Sequence, residues 1–288
     1  MSSKLSITKE SYCDPPLQVS GNNHRISYNI DSVLSVNGQL TQKFSTPSII
    51  VMYAAGILHE GMRLVQLQND TTNNLQVRQL SQHIQSKILL ANAEIHAVAA
   101  ELDCEGQRID QLTQYVEAIN AKQTARLTVT SIVIGAATGI AGSLVSNANW
   151  VKGIAIGGGI SGAGISIATL NPKGKKIELA HKRNLLRNVW LQENNNDITP
   201  FLWLMLTEKR ISNAGTRAIL TNLKHRWIKY QFDGDEAAAA TSVNFTNGGI
   251  YRADELRNRA AMINQLRVEI LSLEQYIHIL LQELQPGQ

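Results

Sequence analysis

The residues best placed to do chemistry form a glycine cluster. Gly157-Gly158-Gly159-Ile160-Ser161-Gly162 matches G-x-G-x-x-G, the spacing at which backbone amides cradle a pyrophosphate at a helix N-terminus. Ile154-Ala155-Ile156 before it reads as a short strand, and Glu178 follows where a ribose hydroxyl would be met. The surroundings argue against a flavin or nicotinamide site. A helix opened by this motif would end at Asn171-Pro172-Lys173-Gly174, and no series of apolar β-runs alternating with helices follows. His59-Glu60 leads into Gly61-Met62-Arg63 rather than to a second histidine, so the zinc-protease spacing fails. Asp233-Gly234-Asp235-Glu236 lacks the remainder of a calcium loop and reads as a solvated turn. His83 and His96 read as solvent-facing. Asn69-Asp70-Thr71 and Asn244-Phe245-Thr246 fit the glycosylation acceptor pattern. We expect no enzyme, no metal and no cofactor.

Two cysteines, Cys13 and Cys104, are too few for a disulfide scaffold or a four-ligand zinc site. We read them as ordinary thiols, with one bridge between them as the alternative. Met1 to Ile30 holds no apolar run of signal-peptide length. Three readings stay open: a cytosolic protein, one exported without a signal, and a mature form whose Met1 replaces a leader.

The most informative stretch is Leu127 to Pro172, whose one charged residue is Lys152. It divides into two arms, Leu127–Val145 and Val151–Leu170, around a polar turn ending at Trp150. Each arm is long enough to cross ~30 Å of hydrocarbon as a helix. Gly135 and Gly139 stand four apart, as do Gly153 and Gly157, and Gly158 and Gly162, each pair followed by a serine; Gly142 joins the first arm. Such small-xxx-small stripes let helix backbones approach closely in lipid. In a water-exposed helix each glycine would cost about 1 kcal/mol relative to alanine. Lys122 and Arg126 precede the first arm, and Lys173, Lys175, Lys176, Lys182, Arg183 and Arg187 follow the second. This asymmetry keeps both flanks on one side of a bilayer with the tip across it, and it suits anionic lipid better than nucleic acid. The bland alternative is a buried glycine-rich helix pair inside a large bundle.

These arms need a frame. From Leu75 to Lys122, apolar positions fall at Ile84, Ile88, Ala91, Ile95, Val98, Leu102, Ile109, Leu112, Val116 and Ile119, with Glu105 in the one polar slot. Steps of four and three over about five heptads predict a coiled-coil helix, roughly 70 Å long. A second seam closes the chain: Leu256, Arg259, Ile263, Leu266, Ile270, Leu273, Ile277, Leu280 and Leu284. If the two helices pack together, Glu105 and Arg259 meet inside one seam. Thr46 and Pro47 open a core helix over the apolar run to Leu58. Pro200–Tyr230 reads as one or two helices, and Gly234–Gly249 as a loop. Residues 1–45 read as short strands and turns, with Val33–Val36 before an Asn37-Gly38 turn.

The expected fold is mainly α: an elongated helical bundle or coiled coil with a central Gly-rich hydrophobic helical hairpin and a small N-terminal extended region. The expected divisions are an N-terminal arm (1–45), a bundle with a long coiled-coil helix (46–126), the hairpin (127–172), and a bundle ending in a coiled-coil helix (173–288). Long helices on both sides of one hydrophobic hairpin resemble the α-helical pore-forming toxins of the cytolysin-A and tripartite enterotoxin type. The resemblance is of architecture over Leu75 to Leu284, not an alignment of residues, and its only transferable element is the hairpin, Leu127 to Leu170. It implies a bundle that masks the hairpin, inserts it and assembles into a ring, with a lipid membrane and further copies or related helical proteins as partners. The chain departs from the pattern in its N-terminal arm and in having fewer helices. A membrane-anchored coiled-coil scaffold without pore activity is the alternative.

Overall fold

The computed structural model describes residues 12–14, 29–68, 74–144, 174–212 and 215–285, with the backbone alone over 130–144. In chain order the helices are α1 (Ile30–Val36), α2 (Thr46–Ala54), α3 (Leu58–Gln68) and α4 (Asn74–Leu144), then α5 (Leu185–Leu191), α6 (Pro200–Thr207), α7 (Ile219–Gln231), α8 (Glu236–Ala240), α9 (Ala253–Ser272) and α10 (Glu274–Glu283). Two short strands, β1 (Ile177–Ala180) and β2 (Gly248–Tyr251), pair antiparallel, with Ile177 opposite Tyr251 and Ala180 opposite Gly248. The fold is mainly α and elongated. The 71 residues of α4 make a rod on the order of 105 Å at 1.5 Å per residue.

The predicted seam is the axis of the molecule. Ile84, Ile88, Ala91, Ile95, Val98, Leu102, Ile109, Leu112 and Val116 are all buried, and so are Leu256, Ile263, Leu266, Ile270, Leu273, Ile277 and Leu280. The two helices run antiparallel. Arg257 pairs with Glu117, Arg267 lies 2.9 Å from Asp103, and Glu274 lies 3.2 Å from His96. Partners on α4 thus descend as those on α9 and α10 ascend. The C-terminal helix is interrupted at Leu273, where Tyr276 N–H donates to the Leu273 carbonyl in a tighter turn. The seam continues across this joint. His83 and His96 are exposed, as expected, at 51% and 58% of the side chain.

The rest of the body wraps this pair. Pro200 opens α6, whose Phe201 to Leu206 are all buried, and it packs on α2, buried from Ser48 to Met52. Trp190 stacks on Phe245 with ring centres 4.5 Å apart, and Trp227 flanks it. Segments 46–126 and 173–288 therefore share one core rather than forming two. Gly248 closes the strand pair. Its φ of +138° and a would-be Cβ 2.5 Å from the Leu179 carbonyl oxygen leave room for glycine alone.

Several expectations need correction. Val33–Val36, expected as a strand, lies in α1, because Asn29 caps the helix by accepting from Ser32 N–H at 3.0 Å and Asp31 sits in its first turn. Arg25 to Tyr28 lie outside the described residues. Ser45, not Thr46, is the N-cap residue of α2. The expected loop 234–249 contains α8, capped by Asp235, and the start of β2. The β1–β2 pair has no counterpart in the sequence reading. Among the described residues no helix is long and apolar enough to cross a membrane. The arms expected to do so lie outside the described residues, except for the backbone of 127–144 and the side chains of 127–129.

On α4, Val116 is the last buried residue among those described; from Ala121 to Val129 every side chain is exposed or half-exposed, Val129 at 59%. Ile109→Ala, inside the seam, should cost about 2–5 kcal/mol. Val129→Ser should stay within about 0.5 kcal/mol of the parent. Urea unfolding followed by circular dichroism separates the two, and a large effect at position 129 would mean that α4 is packed beyond Val116.

Candidate functional site

The seam is apolar except at one level, and there the structure gathers a polar cluster. Glu105 on α4 meets Arg259 on α9, with Oε1 3.7 Å from Nη2. Arg108, one turn beyond Glu105, forks onto the same carboxylate, with Nε–Oε2 2.8 Å and Nη2–Oε1 2.9 Å. Arg108 is 6% exposed and Arg259 2%. One carboxylate thus serves two buried guanidiniums. Burial pushes Arg259 below its ordinary pKa. Burial acts the same way on Arg108, but its hydrogen bond and charge contact with Glu105 outweigh this and hold it above the usual value.

Neutral groups complete the shell. Arg259 Nη1 donates to the Asn244 carbonyl at 3.2 Å, and both terminal nitrogens reach Asn184 Oδ1 at 3.4–3.5 Å. Its Nη2 donates to His181 Nδ1 at 3.3 Å. His181 Nε2 then donates to Tyr251 Oη at 2.9 Å, and that hydroxyl donates to the Val243 carbonyl at 3.0 Å. The partners fix the tautomer. Burial, with Arg259 and Arg108 adding their repulsion, drives the imidazole pKa down to about 2. His181 is therefore a neutral acceptor at every physiological pH, and its 3.9 Å approach to Glu105 is not an ion pair. Asn184 holds the N-cap position of α5 but makes no capping bond. Its amide donates instead to the Asn244 and Thr246 carbonyls at 3.0 and 2.7 Å. The Asn244 side chain, 1% exposed, lies in this core, so its glycosylation pattern has no accessible acceptor in the folded chain. Asn69 lies outside the described residues.

A second shell sits above. Cys13 and Cys104 form a disulfide with Cα atoms 5.5 Å apart, which overturns the reading of two ordinary thiols. Beside it, Asp14 lies 3.4 Å from Lys182 Nζ, and Arg183 pairs with Glu101 at 3.0 Å and reaches the Asp197 carbonyl. Lys182 and Arg183, expected at a membrane surface, are thus engaged by carboxylates over the seam. They follow β1 back onto α4 rather than staying at the hairpin's base. Burial raises the Glu101 pKa to about 7; Arg183 opposes this, while Asp14, Glu105 and Asp197 reinforce it.

A third feature lies where the chain leaves and rejoins the body. Lys175 N–H donates to Asn120 Oδ1 at 2.6 Å. Gly174 packs so close that a Cβ would stand 2.9 Å from Asn120 Nδ2. The outgoing and returning chains therefore meet at Asn120, and α4 continues to Leu144, about 36 Å further. Exposed Lys122, Arg126, Lys175 and Lys176 surround this point. Gly135, Gly139 and Gly142 lie on the continuation of α4. Trp150, Gly153, Gly157, Gly158, Gly162 and Lys173 lie outside the described residues, as does the G-x-G-x-x-G cluster. Among the described residues no group of histidine, cysteine and carboxylate side chains is arranged to hold a metal.

Sequence spacing placed Glu105 opposite Arg259. It missed His181, Asn184, Asn244 and Tyr251, which arrive from loops and strands with no periodic signal. It also missed Arg108, which its place three residues after Glu105 on a helix could have marked as a pair. Compared with known protein families, curated proteins and solved structures, the chain matches none.

Two outcomes follow. Glu105→Met leaves both guanidiniums without a carboxylate and should cost about 3–5 kcal/mol. Arg259→Met, which leaves the Arg108–Glu105 fork intact, should cost clearly less, as measured by chemical unfolding. For Glu101 the folded pKa of about 7 exceeds the reference 4.5, so the folded state binds the extra proton between these values. Its contribution to stability is then lost as pH rises through that window. Glu101→Gln should flatten the fall in melting temperature between pH 5 and 7.5, and an unchanged slope would assign the pH dependence elsewhere.

Proposed function

We propose that this protein is membrane-active: its segment 127–172 enters a lipid bilayer as a glycine-zipper helical hairpin, and several copies assemble into a pore. The observation that carries the reading is the meeting of both hairpin flanks at Asn120, at the end of the packed seam, with α4 running on past the body. A segment with one charge across 127–172 leaves and rejoins the body at one place, where Lys122, Arg126, Lys175 and Lys176 are exposed. Each exposed cation near an anionic leaflet contributes about 1 kcal/mol. The glycine spacing suits close packing of arms from neighbouring copies. The architecture agrees with the resemblance to α-helical pore-forming toxins. The disulfide fits a protein that works in an oxidising compartment rather than one kept in a reducing cytosol.

The second reading is a scaffold that the hairpin only tethers, with its long helix binding a partner. It is favoured by Leu89 and Leu90 of α4, 70% and 55% exposed.

Detergent-free protein added to anionic vesicles loaded with dye separates the two. The pore reading expects flotation with dye release. Flotation without release supports the scaffold, and protein that stays at the bottom of the gradient counts against both. Gly139→Leu with Gly157→Leu should reduce release at least tenfold while leaving helical content near normal; unchanged release would remove the zipper from the account.

A further inference from the structure

We infer that the Cys13–Cys104 disulfide is a redox-operated strap over the Glu105–Arg259 level of the seam, where it ties the chain returning from the hairpin to α4, and that a dithiol reductant opens it. The inference deepens the membrane reading above by naming its control. Four observations place the strap. The bridge joins residues 91 apart, so Tyr12 to Asp14 is pinned onto the middle of α4 at the residue adjoining Glu105. Asp14 reaches Lys182 at 3.4 Å, tying α4 to the turn that follows β1. The charge of Asp14 also acts on Arg108 and on Glu101. Both cysteines are half-buried rather than sealed in the core, so a thiolate can reach the bridge.

The reason the site needs a strap lies beneath it. Arg108 and Arg259 are buried against the single carboxylate of Glu105. Asp14 supplies the further negative charge on the Arg108 side, and it stays there because the adjacent cysteine is bonded to α4. Two electrons and two protons open the lock. One thiolate of the dithiol attacks a cysteine sulfur and forms a mixed disulfide. The second thiol then displaces the protein sulfur, leaving Cys13 and Cys104 as thiols and the reductant as a cyclic disulfide. Asp14 is then held by solvent-exposed contacts alone. The Arg108–Arg259 cluster keeps one counter-charge, and the bridge between α4 and the returning chain at Lys182 weakens. The lock closes under oxidising conditions and opens on entry into a reducing compartment.

Hydrogen exchange of the full-length protein, with and without dithiothreitol, reads the lock without any membrane. Amides of residues 99–110 and 177–184 should exchange at least tenfold faster after reduction, while those of α6 stay unchanged. The Cys13→Ser, Cys104→Ser variant should match the reduced protein under both conditions. Equal protection of residues 99–110 in the oxidised and reduced protein would overturn the inference. Dye release from anionic vesicles reads its consequence. Faster release by the reduced protein supports control of the hairpin, and equal release by both forms overturns it. If neither form floats with vesicles, the membrane reading fails while the exchange result still decides the lock.

Discussion

A guanidinium buried in the seam between two long helices is the constraint around which this fold is arranged. Arg259 stands where the heptad pattern calls for an apolar side chain. A charge taken out of water costs several kcal/mol unless it is paired and hydrogen-bonded. Each neighbour answers that demand. Glu105 supplies the charge, Asn244 a carbonyl, and Asn184 an amide oxygen diverted from its helix cap. His181 supplies a ring nitrogen kept neutral by burial, with the two arginines it accompanies adding their repulsion. Within the cluster, Arg259 Nε and Asn244 Oδ1 are left without a hydrogen-bond partner among the described residues. The cluster draws three separate pieces of chain onto one level of α4: the turn after β1, the 3₁₀ turn at Val243–Phe245, and the start of α9. It also fixes the register of the antiparallel pair, because sliding either helix by a heptad would bury Arg259 against Val98 or Leu112.

That register sets where the body ends. With Arg259 opposite Glu105, the start of α9 reaches only to Glu117, through Arg257. The β1–β2 pair sits at the same end, so its return strand meets α4 at Asn120. Everything beyond is one helix leaving the body and, thirty residues after Leu144, one chain coming back at Gly174. The basic residues divide accordingly. Lys122, Arg126, Lys175 and Lys176 lie at the exit, while further along the chain Arg183 turns inward to Glu101 and Lys182 stays exposed beside Asp14. A count of flanking cations cannot make this division, because it depends on how soon β1 brings the chain back over the seam.

The two seams were legible from their spacing, since nothing but a buried stripe explains apolar steps of three and four over such lengths. Glu105 and Arg259 stood out as the exceptions to that pattern, and the pairing of the helices brought them together. What the sequence did not disclose has a common physical origin. His181 and Asn184 act through single side chains and Asn244 through its backbone carbonyl, all delivered by irregular backbone, and the strands are four residues each, too short for an alternation to register. Val33–Val36 reads as a strand by composition, yet a local cap at Asn29 and burial of Ile30 decide for helix. The cysteines could not be paired by counting, because a sequence separation of 91 leaves their distance to the tertiary fold.

The continuity of α4 through its glycines follows from the same seam. Gly135, Gly139 and Gly142 would each disfavour a helix in water by about 1 kcal/mol, and an isolated segment of that composition would not nucleate one. Nucleation is the costly step of helix formation, whereas propagation adds one hydrogen bond for each residue fixed. The packed stretch from Ile84 to Val116 has already met that cost, so 127–144 extends an existing helix rather than starting one. An arm rich in small residues can then keep the surface that suits close helix–helix contact in lipid while being presented as a helix by the body. The polar cluster holds the two helices in the register at which the returning chain meets α4 at Asn120.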